Sequence, residues 1–117
     1  MSRDWARPVV HWEIRATDPE AQRAFYAELF NWDISDGPIH NIGVGLGGPE
    51  PGPAGHIMGG EQPGVSIYVQ VGDLRTSLDL AAELGGAITS EPFEVPGGPT
   101  IAGITDPEGN AVVLVQQ

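Results

Sequence analysis

The chain repeats itself, and that repeat limits what it can fold into more than any single motif does. Laid on itself at an ungapped shift of 55 residues, Val10, Asp18, Ala27, Glu28 and Leu29 fall on Val65, Asp73, Ala82, Glu83 and Leu84. A chain of 117 residues buries one core of useful size and has no room for two independent domains. The expectation is one domain, 1–117, made of two copies of one unit: module one at about 8–60 and module two at about 64–117.

Each copy opens on a strand. In Val9-Val10-His11-Trp12-Glu13-Ile14 the side chains alternate, so His11 and Glu13 share one face while Val10, Trp12 and Ile14 share the other. The apolar face suits packing under a helix. Asp18-Pro19-Glu20 starts that helix: the Asp carboxylate accepts from exposed amides, proline tolerates the first position, and Glu20 suits the positive end of the dipole. The helix is predicted to reach about Phe30, with Ala21, Ala24, Phe25 and Leu29 on its inner stripe. Strands are predicted at Trp32–Ile34, Ile39–Leu46 and Ala54–Met58, with a turn over 47–53.

The second copy follows the same plan. Ser66–Val71 reads as a strand, Asp73 as a cap, and Leu74 to about Leu84 as a helix with Leu74, Leu78, Ala81 and Leu84 inward. Gly85-Gly86 ends it. Ala87–Ser90 and Phe93–Val95 read as strand pieces parted by Pro92, followed by strands at Thr100–Thr105 and Ala111–Val115 around an Asp106–Asn110 turn. Both halves are strand, helix, strand, strand, strand.

Charge narrows the partners. Five arginines, no lysines and sixteen acids give a formal charge of −11, which repels phosphate backbones and anionic lipid. Neither nucleic acid nor a membrane is an expected partner. No window is long and apolar enough to span a bilayer, and the absence of cysteine removes disulfide and thiolate chemistry. A cytoplasmic protein fits these features. The glycines Gly43, Gly45, Gly47, Gly48, Gly59 and Gly60 precede no helix and no Gly-Lys-Ser/Thr, so they are expected to permit sheet curvature and a mobile lip rather than to cradle phosphate.

The order Val10-His11-Trp12-Glu13-Ile14, Asp18-Pro19-Glu20, Phe25 to Trp32, Gly72-Asp73-Leu74, Leu84-Gly85-Gly86 and Thr105 to Asn110 resembles the vicinal oxygen chelate superfamily: glyoxalase I, bleomycin-resistance proteins and extradiol dioxygenases. The resemblance covers residues 8–116. It implies an α+β fold of two βαβββ modules whose curved mixed sheets enclose a cleft. It also implies a homodimer that binds a small molecule. Metal-using members carry one ligand on the first and one on the fourth strand of each module. The matching positions are His11, then His56 or Met58, then Ser66, then a position near Val113. Ser66 is a poor ligand and Val113 cannot be one, so at most two of four ligands remain, fewer than a transition-metal site normally needs.

His11 and Glu13 are the candidate catalytic pair. If both line the cleft, Glu13 is a general base whose pKa burial raises, and His11 an acid, an orienter or a ligand. If they do not, His11 bonds a neighbouring strand and Glu13 faces solvent. His11, Glu13 and His56 together would form a two-His, one-carboxylate set for a divalent metal. Tyr68, the repeat partner of Glu13, is expected to face the same ligand, with His56, Met58, Ser66 and Val113 beside it. His40 is expected at the surface. Three functions follow: proton-transfer chemistry of lyase or isomerase type on a small organic molecule; non-enzymatic sequestration of an antibiotic or toxin; and a divalent-metal lyase or dioxygenase.

Overall fold

The computed structural model describes residues 5–43 and 52–116. They form an α+β fold with the elements β1 (Val9–Ala16), α1 (Pro19–Phe30), β2 (Ile39–Ile42), β3 (Gly55–Gly59), β4 (Gly64–Val71), α2 (Leu74–Glu83), β5 (Ala87–Glu94), β6 (Thr100–Thr105) and β7 (Ala111–Gln116). The chain divides into two compact units. One is His11–Val65; the other joins the N-terminal residues up to Val10 to Ser66–Gln117. The N-terminal residues are held there by a bond from the Gln70 amide to the Pro8 carbonyl, 2.9 Å.

In the His11–Val65 unit the strand order is β2-β3-β1. β3 runs parallel to β1 and antiparallel to β2. The strand predicted at Trp32–Ile34 is reduced to one bridge, Ile34 to Ile42. The predicted strand from Ile39 ends at Ile42; its remainder, most of the following turn, and Gly45, Gly47 and Gly48 lie outside the described residues. In the other unit the order is β4-β7-β6-β5, with β7 parallel to β4 and the remaining pairs antiparallel. The two predicted pieces around Pro92 form one strand, β5, whose register against β6 shifts between Ile88 and Ser90 and again between Ser90 and Phe93. Bulges absorb the residue that cannot donate to the ladder.

Both helices begin as expected. Asp18 Oδ1 accepts from the Ala21 amide at 3.2 Å, and Asp73 Oδ1 from the Arg75 amide at 3.1 Å. They end differently. Asn31 stops α1 in a left-handed turn, φ 58°. α2 gives way to Gly85, φ 101°, followed by a bond from the Gly86 amide to the Ala81 carbonyl.

The helices are also held differently. Leu74 and Leu78 of α2 are buried with Val71, Ala102 and Leu114. Fully burying a leucine contributes about 1.5–3 kcal/mol. Leu84, expected inward, is exposed because α2 ends before it. α1 buries no residue fully. Its predicted inner stripe is wrong throughout: Ala21 and Ala24 are exposed, and Phe25 and Leu29 are 55% and 59% exposed. Tyr26 and Ala27 face the core instead, against Ile14, Ala16, Ile34, Ile42 and Ile57, with Trp12 and Trp32 beside them. Arg23 tethers the helix by donating from Nε and Nη2 to the Ile34 carbonyl, 3.2 and 3.1 Å.

Candidate functional site

Trp12, Ile14 and Ala16 of β1 join the core beneath α1, so alternation sends His11, Glu13 and Arg15 to the opposite face. The parallel register sets Glu13 opposite His56 and Arg15 opposite Met58. Residues directly opposite in a sheet share a face, so the face of this sheet away from α1 gathers five of these side chains. The same register resolves the choice between His56 and Met58. Tyr68, the repeat counterpart of Glu13, lies opposite Val113, so the counterpart of Val113 is His56.

A feature on the helix side keeps the register. Trp12 lies opposite Gly55, and a Cβ built on Gly55 would fall 2.3 Å from the indole carbons Cδ2 and Cε2. Only glycine lets the indole lie across β3 there. The Trp12 Nε1 donates to the Pro53 carbonyl at 3.0 Å, and the ring packs 5.5 Å from Trp32.

On the face away from α1 the polar groups form a chain of contacts. His11 Nε2 is 2.7 Å from His56 Nδ1. His56 Nε2 is 3.1 Å from Glu13 Oε1, and Arg15 Nη1 donates to Glu13 Oε2 at 2.7 Å. Glu13 and His56 are buried, at 7% and 8% exposure, while His11 is half-buried. A buried carboxylate needs such partners, because an unpaired one costs several kcal/mol. Burial pushes the His11 imidazole below its ordinary 6.5; His56 lowers it further and the Glu13 charge opposes both. Gly64 leaves space for Arg15, since a Cβ there would meet the guanidinium Nη2 at 2.7 Å.

The three expected metal ligands therefore meet, but around His56 rather than around one point. His56 turns its two ring nitrogens to different neighbours, Nδ1 to His11 and Nε2 to Glu13. An ion ligated by all three groups needs one atom from each aimed at a common centre. Among the described residues no three His, Cys, Asp or Glu side chains are so arranged.

The remaining expected site residues are distributed over both units. Met58 is half-buried opposite Arg15. In the other unit Ser66 is buried, and Tyr68 and Val113 are half-buried and directly paired. Two residues carry more than the sequence signalled. Arg15 carried no expectation, yet it is the cation on Glu13. His40, expected at the surface, is 4% exposed. A hollow of about 770 Å³ in the His11–Val65 unit is lined by Trp12, Phe30, Trp32, Asp33, Asn41 and others, and none of His11, Glu13 or His56 lines it.

Two units, each a helix packed on a sheet, ordered β2-β3-β1 and β4-β7-β6-β5, have the fold of the glyoxalase and bleomycin-resistance class. The chain belongs to the Glyoxalase-like domain family, whose model matches residues 11–115. It is 28% identical over 114 residues to a protein named Putative glyoxylase CFP32 from Mycobacterium bovis and from Mycobacterium tuberculosis, covering 89% of this chain and 43% of that one. The chain thus spans less than half the length of these relatives. Among solved structures it resembles a glyoxalase/bleomycin resistance protein/dioxygenase superfamily member from Vibrio splendidus 12B01, with TM-score 0.67 and 15% identity over 96% of this chain and 100% of that one. It also resembles methylmalonyl-CoA epimerase from Mycobacterium tuberculosis, with TM-score 0.61 and 15% identity over 92% and 86% of the two chains. At these identities the likeness is one of fold.

Proposed function

We propose that the chain binds a small organic molecule at the His11 end of this polar chain and moves a proton there, in chemistry of lyase or isomerase type. The observation that carries the reading is the contact chain from His11 through His56 to Glu13. Arginine stays charged, so Glu13 faces a fixed cation and is written as a carboxylate. Its Oε1 then accepts from His56 Nε2–H. His56 Nδ1 is left as an acceptor and takes the His11 Nε2–H. This assignment follows from the heavy-atom contacts and makes His11 Nδ1 the basic atom. A proton taken up there places a positive charge on a ring whose neighbour leads to a carboxylate. Glu13 serves from behind, and His11 is the group that meets the ligand. Met58 completes the proposed ligand contacts of this unit, and Ser66, Tyr68 and Val113 are the corresponding positions of the other. A homodimer and a cytoplasmic location belong to the same reading. Among the described residues no helix is long and apolar enough to cross a membrane.

The chemistry is tested by proton exchange. Native protein, His11→Asn and Glu13→Gln are incubated in deuterated buffer with a panel of small 2-oxo acids, 2-hydroxy ketones and acyl thioesters. Loss of the α-proton signal is followed by NMR. The expected result is exchange by the native protein on at least one panel class, lost in His11→Asn. Tight binding without exchange would replace proton transfer with sequestration, the reading the bleomycin-resistance relatives favour. Neither binding nor exchange, with the fold intact, refutes the proposal.

A further inference from the structure

His40 lies outside the contact chain just described, and its ring is placed between two oxygens. Nδ1 is 2.9 Å from the Ser35 carbonyl and Nε2 is 3.2 Å from Glu20 Oε2. A carbonyl oxygen only accepts, so Nδ1 must carry hydrogen. An ionised carboxylate also only accepts, so Nε2 must carry the second. A neutral imidazole has one N–H and can make only one of these bonds. We infer that His40 acts as a protonated clasp that ties the first turn of α1 to β2, and that loss of one proton opens it.

The surroundings are consistent with a clasp. From α1, Glu20 and Arg23 face this corner, with Arg23 Nη1 4.0 Å from Glu20 Oε1. From the loop before β2, Asp36 Oδ1 takes Arg23 Nη2 at 3.0 Å, so the arginine charge has its own partner. From β3, Ile57 lies opposite His40 and does not titrate. His40 is buried and held; Glu20 is largely exposed and can turn away. When Nε2 loses its proton to water, two lone pairs confront each other, and Glu20 swings to solvent. The Ser35 side of the ring keeps its bond. Ser35 also accepts from the Asn41 amide at Oγ, 2.9 Å, and Asn41 lies opposite His56. The clasp therefore anchors the strand beside the candidate site.

The test uses the full chain as native protein, Glu20→Gln, His40→Asn and the double variant. Asparagine keeps an amide N–H near the Nδ1 position, so the Ser35 bond survives while the Nε2 side is removed. Urea unfolding is measured at about pH 5.5 and about pH 8.5, which bracket the range where imidazoles in general change charge. The expected coupling between the two sites is about fivefold in the folding equilibrium at the lower pH and none at the higher. Nitrogen-15 NMR of the native protein is expected to show both His40 ring N–H groups at the lower pH and only Nδ1–H at the higher. Equal coupling at both values, or a single ring N–H at the lower pH, overturns the inference. If the variants do not fold, the native spectrum alone decides.

Discussion

Replacing Gly55 with alanine tests how the site is held in place. The new methyl would lie 2.3 Å from two Trp12 ring carbons and 2.6 Å from a third. Ordinary carbon contacts begin near 3.5 Å, so the indole must retreat by about 1 Å. It has little freedom to do so, being bonded to Pro53 and packed on Trp32. Overpacking of this kind costs about 1–3 kcal/mol, and losing the indole bond adds about 1 kcal/mol. The expected loss is about 2–4 kcal/mol, read as a lower urea midpoint with tryptophan fluorescence following the transition. The control is Trp12→Leu, in which the ring is gone. In that background Gly55→Ala should cost under about 1 kcal/mol, a clear non-additivity. If the alanine costs the same in both backgrounds, the indole is not what requires glycine, and the account of the β1–β3 register fails. Because Glu13 and His56 pair one residue further along, the His56 ring signals should also shift in Gly55→Ala.

Three further outcomes follow from the geometry. Glu13→Gln removes the charge that favours His11 protonation, so the His11 midpoint followed by NMR should move down. In the native protein the folded His11 ring is already harder to protonate than the unfolded one. Its contribution to stability should therefore fall away as pH drops through about 6.5 and level off once the folded ring is protonated too; His11→Asn should flatten that slope in urea midpoints. Leu78 is fully buried beneath α2, and Leu78→Ala should cost about 2–5 kcal/mol by the same assay.

The fold was readable because its signals are local and occur twice. Alternation in residues 9–14, Asp-capped helices and the glycine stop after α2 each name an element, and the repeat names their order. The opposite faces of Trp12 and His11 followed from alternation alone. What the sequence hid is tertiary. The stripe through Phe25 and Leu29 has helical periodicity, but two apolar stripes compete on α1, and contact with Ile34 and Ile57 selects the one through Tyr26 and Ala27. His56 was separable from Met58 only through the β4–β7 register, since the copies differ by two residues in their last strands. His40 gave no signal, because Glu20 lies on an element that packing, not spacing, brings close; Arg15 stands two residues from Glu13 on the same face, so alternation alone already paired them.

α1 and α2 descend from one plan yet are cemented with different materials. The second rests on Leu74 and Leu78, both almost wholly buried, so solution conditions short of denaturation should leave it alone. The first leans on an arginine and an imidazole, with Phe25, Leu29 and Phe30 turned outward. Amide exchange should accordingly be quicker along residues 19–30 than along 74–83, and alkali or salt should widen that gap.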